Sequence, residues 1–567
     1  MPQLAINQGP QDALLYDNTR SYFTNVGYVR TSNFQVEYRN VECQNTPAFG
    51  STINFVIPKA ADLLGPCDLR LTIPAPNAIS GTDNTAKQVD ADNEFAYAAW
   101  VDKLGFAMLE KITFSIGSND IEVLDGDILD IKNELMTSDE MRLGFDHILK
   151  TGEAANPAAI ANGIGSNGAQ FTAAQFPGNN NRASADSGGT KAYNKDWTRL
   201  IQMSANTAAV GSGTSSTVKH IISDARTLTV PLGLFFTKHV SQYFPLAAIA
   251  GCNDVRIAVK LRPLKELLQV GGHCASGTVD MMPSFAELKA ELLCHYVHVT
   301  APEAQELMNK EHVRLLNLWQ HEPHTVSAIS GNKIDLNLSF LHPVSMLVIT
   351  VRKEAEVGNS EVPKIEGDFV AAGQYADKKG RFFYHGDGSN PNYDDKFNQH
   401  PGTIQIESIQ CTLNGQERHP GLSKGIPVDY LRSRLMPMLH SNSSMKEAQL
   451  AASMANSPTD HSDVATLTKL QKELNGNPNI FVMPFSLNPE GSNPAGAVNM
   501  SKVSHAKLTL NLHEEPSGTT SWLSGLKGTV AGNYNASTGK SGYIVDVYAC
   551  YYNWLQIKNG RALLSFA

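Results

Sequence analysis

Several short strings in this chain are spelled like reaction chemistry. Gly421-Leu-Ser-Lys-Gly425 fits GxSxG, the elbow that lifts a nucleophilic serine above a sheet. That elbow needs a buried strand before it and a helix after it. Polar Gln416 to Pro420 precedes this one and Ile426-Pro427 follows, so it reads as a loop. Gly163-Ile-Gly-Ser-Asn-Gly168 fits the phosphate-cradling GxGxxG, yet no strand leads into it and no βαβ unit surrounds it. Asp125-Gly-Asp-Ile-Leu-Asp130 sets out carboxylates as a calcium loop does, without the glycine and terminal glutamate such a loop requires, and reads as a solvated turn. His321-Glu-Pro-His324 and His295-x-x-His298 offer imidazole pairs to a metal, but the first contains proline and the second sits on a strand-like run, so both read as ordinary histidines. No cysteine carries a nucleophile signature. No catalytic, cofactor-binding or metal-ligating residue is assigned, and no cofactor is expected. Of the Asn-x-Ser/Thr sites, Asn337 and Asn499 fall in strand or packed contexts. Asn442 and Asn535 remain possible glycosylation sites, with Asn535 the better placed, between Gly532 and Gly539.

The surroundings of these strings are mostly strands. Ser51-Thr-Ile-Asn-Phe-Val-Ile-Pro58, Asp68-Leu-Arg-Leu-Thr-Ile-Pro74, Lys111-Ile-Thr-Phe-Ser-Ile-Gly117, Val255-Arg-Ile-Ala-Val-Lys-Leu261 and Lys333-Ile-Asp-Leu-Asn-Leu338 all alternate apolar and polar. Short strands separated by turns over long stretches indicate sandwiches. Helical periodicity is rare: Pro302–Leu316 is one candidate, and Ser444–Leu474 contains another. Small polar residues dominate 152–223 and 516–542, which read as surface insertions. A boundary falls near 264–285, giving two β-rich units of similar size, each interrupted by a long insertion.

Bulk properties agree with a folded, loop-rich chain. Its 567 residues suit more than one domain, with 42% hydrophobic and 18% charged residues, 44 Gly and 28 Pro. A net charge of −9 gives no general attraction to nucleic acid. Seven scattered cysteines without a CxxC pair indicate reduced thiols and an intracellular folding site. Met1 to Gly27 lacks the apolar core of a signal peptide, and no run approaches the roughly 18 apolar residues of a membrane span.

The most specific stretch is late in the chain. Phe485, Leu487, Pro489, Glu490, Pro494, Gly496, Asn499 and Ser501 stand in the places of a block, Phe-x-Leu-x-Pro-Glu-x-x-x-Pro-x-Gly-x-x-Asn-x-Ser. That block resembles one found late in the major capsid proteins of nucleocytoplasmic large DNA viruses. The resemblance recurs in order. Tyr22 to Phe34 is similar to the family's opening block, with Ser32 in place of Thr and the basic run reduced to Arg30. Trp100-Val-Asp-Lys-Leu104-Gly105, continuing to Gly117, resembles the Trp-Val-Asn-x-Leu-Gly segment and the strand after it. Pro231-Leu-Gly-Leu-Phe235-Phe, followed by Phe244-Pro245, resembles the strands that close the first jelly roll. His342-Pro343-Val resembles an Asn-His-Pro-Val turn, with Leu341 in place of Asn. Leu413-Asn414-Gly415-Gln-Glu-Arg418 and Tyr551 to Gly560 resemble a later turn and the closing strand. The matched blocks span about nine tenths of the chain.

What the resemblance implies is an all-β double jelly roll, two consecutive eight-stranded antiparallel sandwiches with long loop insertions and a few short helices. It implies an N-terminal arm at 1–25, a first roll at 26–270 with its insertion at 152–223, a linker at 271–300, and a second roll at 301–567 with insertions at 440–475 and 516–542. It implies structural roles for Phe34, Trp100, Leu104, Gly105, Pro231, Phe235, Pro245, His342, Pro343, Asn414, Gly415, Phe485, Pro489, Pro494, Gly496 and Asn499. It also implies a shell protein and no enzyme. Three copies would form a pseudo-hexagonal capsomer, and capsomers would join into an icosahedral lattice in the virion after assembly in the cytoplasm of the infected cell. Minor capsid and penton proteins are the expected partners, the inner viral membrane is met only indirectly, and nucleic acid is not contacted. Two other readings use the same fold class: a membrane scaffold later discarded, and a β-sandwich carbohydrate-binding or carbohydrate-cleaving protein. The last needs paired carboxylates or an aromatic sugar platform, and with five Trp no such spacing stands out. Burial of Trp100, Phe114, Phe235, Phe244, Phe485 and Trp554 is expected from their strand-patterned settings.

Met1 to Tyr22 has Gly9-Pro10 and few apolar residues, too few to form a core element alone. Deleting residues 2–20 is therefore expected to leave capsomers folded, with nearly unchanged melting, and to impair shell assembly. Hydrogen exchange of this arm should slow between capsomer and particle; equal, fast exchange in both states counts against an ordering role.

Overall fold

The period-2 runs become strands because alternation puts one row of apolar side chains on one face. In β2 (Thr52–Ile57), Ile53, Phe55 and Ile57 are buried and the residues between them are not. The computed structural model describes residues 32–76, 95–101, 104–137, 200–207, 217–222, 225–249, 251, 253–273, 278–280, 284–326, 333–353, 364–366, 406–418, 425–427, 430–431, 480–489, 493–512 and 543–566.

The first sandwich has one sheet in the order β1 (Phe34–Glu42), β14 (Lys289–Val299), β3 (Leu63–Ile73). Beyond β3 lie both β9 (Arg226–Pro231) and β10 (Phe244–Pro245). Its other sheet runs β2, β11 (Val255–Leu261), β5 (Leu109–Ile116), β6 (Asn119–Leu124). The second sandwich has one sheet in the order β15 (His312–Val326), β25 (Tyr543–Lys558), β17 (Pro343–Lys353). Beyond β17 lie both β22 (Ile480–Pro484) and β23 (Val498–Asn499), and β26 (Arg561–Leu564) folds back on β25. Its other sheet runs β16 (Lys333–Leu338), β24 (Ala506–Leu512), β19 (Ile406–Leu413), with β20 (Gln416–Glu417) and β21 (Ile426–Pro427) beyond.

Counted along the chain, both sandwiches place strands one, eight, three and six in one sheet and two, seven, four and five in the other. This is jelly-roll order, made twice. Strand six is broken the same way each time. Pro231 ends β9 and Pro484 ends β22. The chain then leaves the sheet, and a two-residue strand rejoins the same neighbour just before a 3₁₀ turn, at 246–248 and at 500–502.

Four further strands, β4 (Phe95–Trp100), β7 (Leu200–Thr207), β8 (Thr217–Ile222) and β12 (Leu268–His273), form a separate sheet in the order β12-β4-β7-β8, and β13 (Thr278–Asp280) pairs with β18 (Lys364–Glu366). The helices include α1 (Leu104–Ala107), α2 (Gly126–Met136) and α3 (Ala301–Asn309).

Several expectations change here. Residues 289–299, expected within a linker, form β14 between β1 and β3, because Ala290, Leu292, Cys294 and Tyr296 alternate into the first core. The first roll therefore runs to Val299. The insertion at 152–223 contains two sheet strands, β7 and β8, within a stretch otherwise rich in small polar residues. The string at 125–130 is the start of α2 rather than a solvated turn, since Ile128, Leu129, Ile131 and Leu135 repeat at helical spacing into the core. The helix begun at Ala301 ends by Asn309, and His312–Leu316 is strand. Trp554 is 41% exposed, and Phe235 and Phe485 are only partly buried, whereas Trp100, Phe114 and Phe244 are fully buried.

Two apolar cores result, and one sheet serves both. From β17, β22 and β25, Leu347, Ile349, Phe481, Met483, Val547 and Ala549 enter the second core. Their neighbours Met346, Val348, Ile480, Val482, Tyr548 and Cys550 enter the first. Leu347→Ala and Met346→Ala are each expected to cost ~2–5 kcal/mol in denaturant unfolding, while Leu487→Ala, 84% exposed, should stay within about 0.5 kcal/mol. A Met346→Ala variant as mild as Leu487→Ala would show that this face is not packed.

Candidate assembly surfaces

For a chain built this way, the surfaces that matter are those by which sandwiches meet. One such meeting lies inside the chain, where β6, α2 and the turn at 235–237 rest against the sheet that begins with β15. Asp125 starts α2: its Oδ1 accepts from Ile128 N at 2.6 Å. Its other oxygen, Oδ2, lies 3.1 Å from His321 Nδ1. On the far side of the ring, Nε2 lies 2.9 Å from Asp546 Oδ1. The ring itself stacks on Tyr548, with centroids 4.4 Å apart. A carboxylate at each ring nitrogen requires both nitrogens to donate, which is the imidazolium form. Burial by itself would lower the His321 pKa; the bonds to Asp125 and Asp546 outweigh it and push it up to about 9.

Around this clasp the seam is partly polar. Burial pushes the Glu122 carboxyl up to about 7, opposed by Lys132 and by the amide of Phe235, which donates to Glu122 Oε2 at 2.8 Å. Lys132 Nζ donates to Gly233 O at 3.0 Å and stands 5.9 Å above the Trp319 ring. Arg314 Nη1 donates to the carbonyls of Gln242 and Tyr243 at 3.1 and 2.5 Å, and Asn253 Nδ2 donates to Gly560 O at 2.8 Å. A cleft of about 450 Å³ follows β15, with Leu129, Lys132, Phe235, Trp319 and Pro489 in its wall.

Most family-motif residues hold backbone turns. Asn414 and Gly415 have φ of 50° and 80°, the paired left-handed geometry of a two-residue hairpin, and Asn414 Oδ1 accepts from Ser504 N and His505 N. His342 takes φ 68°, stacks on Tyr551 and donates its amide to Ser501 Oγ. Pro343 opens β17 opposite Asn499, whose side chain accepts from Ser501 N. Gly496 has φ 117°. Trp100 stacks on Phe285, beside buried Leu104 and Gly105. Pro231 and Pro245 end the two pieces of strand six, Pro494 precedes the second rejoining strand, and Phe34 stands exposed on β1. Gly425 owes its identity to the backbone: φ is +83°, and a Cβ would lie 2.6 Å from Ile409 O. Asn442, Asn535 and the string at 163–168 lie outside the described residues. His298 Nε2 pairs with Glu37 at 3.1 Å. Sequence reasoning missed the clasp; the usable signal was a helix-capping aspartate, Asp125, followed by an apolar i, i+3, i+7 row.

Residues 21–299 match the family model for the N-terminus of major capsid proteins. The major capsid protein of Phaeocystis pouchetii virus is 23% identical, aligned over 99% of this chain and 98% of its own. That of Chrysochromulina ericina virus is 22% identical over 62% of this chain and 56% of its own. Among solved structures, the PBCV-1 virus capsid superposes with a TM-score of 0.56 at 14% identity, covering 96% of this chain and all of that one. The Faustovirus major capsid protein superposes at 0.54 and 12% identity, covering 97% and 94%. The fold is that of the double jelly-roll shell proteins. The chain belongs to the family of major capsid proteins of large DNA viruses.

The clasp makes stability depend on pH. The His321 pKa is raised above the ordinary 6.5, so its contribution is complete below that value and is lost as pH rises through about 9. The raised Glu122 pKa acts in the same direction lower down, between 4.5 and about 7. These two groups therefore lower the melting temperature between about pH 5 and about pH 9.5, against the opposite contributions of His295, His342 and Lys132, whose pKa values burial lowers. His321→Gln should flatten the upper part of that fall and Glu122→Gln the lower. An unaltered slope in both variants would rule out these groups as its source.

Proposed function

We propose that this major capsid protein acts as a rigid two-sandwich wedge, three copies of which close into a capsomer of near-hexagonal outline. The observation that supports this is the duplicated strand order joined by a shared sheet. Two equivalent sandwiches held in one fixed block give six wedges per trimer, and six similar wedges approximate a six-fold. Closed symmetry ends growth at the trimer, while weaker contacts between trimers extend the shell. Its site of action is the virion capsid. Minor capsid and penton proteins are the further partners, and the inner viral membrane is reached only through them. With a net charge of −9 the protein offers nucleic acid no general attraction. Its work is assembly, without a catalytic step.

Light scattering on the purified protein should give three times the 61.5 kDa chain mass, and the protein should remain in purified virions. A monomer at micromolar concentration counts against the capsomer. Absence from mature virions points to a discarded scaffold instead.

A further inference from the structure

The two rolls repeat a detail finer than strand order. In the second roll, strands one and eight present a stacked cross-strand pair on the face turned away from their own core: His321 on β15 opposite Tyr548 on β25. In the first roll, the same two strands present Tyr38 on β1 opposite His295 on β14, stacked with centroids 4.9 Å apart and 16° between planes. That face also points away from its own core, which takes Cys294 and Tyr296 on either side of His295.

The two faces have different surroundings. In the second roll, the first roll covers Tyr548 and its neighbours on β25, and Asp125 closes on His321. In the first roll, among the described residues, the β1 side of the face is open. Phe34, Val36 and Tyr38 alternate along it at 60%, 40% and 67% exposure, large apolar groups in a row on an edge strand. His295 is ready-made without being finished. Gly65 leaves room for its ring, since a Cβ there would sit 2.6 Å from Nδ1, and Tyr243 meets it edge-on at 5.5 Å. Its Nε2 is buried with no hydrogen-bond partner among the described residues.

We propose that this face of β1 and β14, centred on Tyr38 and His295, is the seat for the second roll of a neighbouring copy of this chain. It repeats between chains the contact that the first roll makes on the β15–β25 face within a chain. The occupant is a second copy because the internal seam already shows which kind of object fits such a face: the side of a sandwich with the same strand order. The proposal rests on the capsomer reading above and names its contact surface.

The test uses the full chain carrying Val36→Asp and Tyr38→Asp together, and separately a photo-crosslinking residue at Val36 in mixed heavy- and light-labelled protein. Both substituted positions are exposed, so the double variant should melt as an isolated chain does, with its trimer lost at micromolar concentration. The crosslink should join β1 of one copy to residues 312–566 of another. A wild-type trimer with an intact double-variant trimer, or a crosslink to the first roll of any copy, overturns the inference and leaves the capsomer reading standing. A wild-type protein that is itself monomeric removes the capsomer reading. If the double variant aggregates, the crosslink in the otherwise native chain still decides.

Discussion

The structure depends on one sheet having two apolar faces. A sheet in a sandwich ordinarily presents one face to its core and the other to water, and its strands then alternate. The sheet of β15, β25, β17 and β22 cannot do so, because it is also the wall against which the first roll packs. Its strands are accordingly apolar on both sides: Ile480-Phe-Val-Met483, Met346-Leu-Val-Ile349 and Val547-Tyr-Ala-Cys550. A polar side chain on either face loses hydration, which explains why Ser345, Thr350 and Asp546 each have a bonding partner: Ser345 and Thr350 donate to carbonyls, and Asp546 takes His321. The angle between the rolls, and thus the shape of the wedge, follows from how this one sheet is covered.

That constraint also explains what could be read without coordinates. Strands such as Thr52–Ile57 and Lys333–Leu338 are legible because alternation is the direct signature of one buried face. The apolar runs in β17, β22 and β25 carry no period, and their place was visible only through the resemblance of the blocks beside them. β14 was misplaced for a related reason. Its inward row of Ala290, Leu292, Cys294 and Tyr296 is interleaved with Leu293 and Val297, which blurs the alternation, and the nearby helix at Ala301 looked like the start of a new unit. Strand-pairing partners 227 residues apart, such as Cys67 and Cys294, leave no local trace.

The turn motifs were the most legible part, since they are demands on single backbone positions. Asn414-Gly415, Gly425, His342 and Gly496 all take positive φ, and few residue types accept it at low cost. The surfaces between sandwiches were the least legible. A partly exposed histidine held between two carboxylates joins three elements far apart in sequence, and nothing in His321-Glu-Pro-His324 announces Asp125 or Asp546.

The charges at the seam set geometry more than they add stability. Burying an ion pair costs desolvation that its attraction only partly returns, and an apolar replacement of similar volume is often as stable. Apolar contact alone, however, tolerates sliding: two flat faces can shift by a residue with little change in buried area. The clasp does not tolerate it. Asp125 must reach His321 with one oxygen while its other oxygen caps α2, so a displacement of the first roll along β15 breaks the ion pair, the helix cap or both. The stack on Tyr548 fixes the ring plane, and Asp546 fixes its rotation. Hydrophobic burial thus holds the rolls together, and the Asp125–His321 pair, with the bonds from Arg314 and Asn253 across the seam, holds them in one register. A shell needs that second property, since an angular error in one wedge is repeated in every copy.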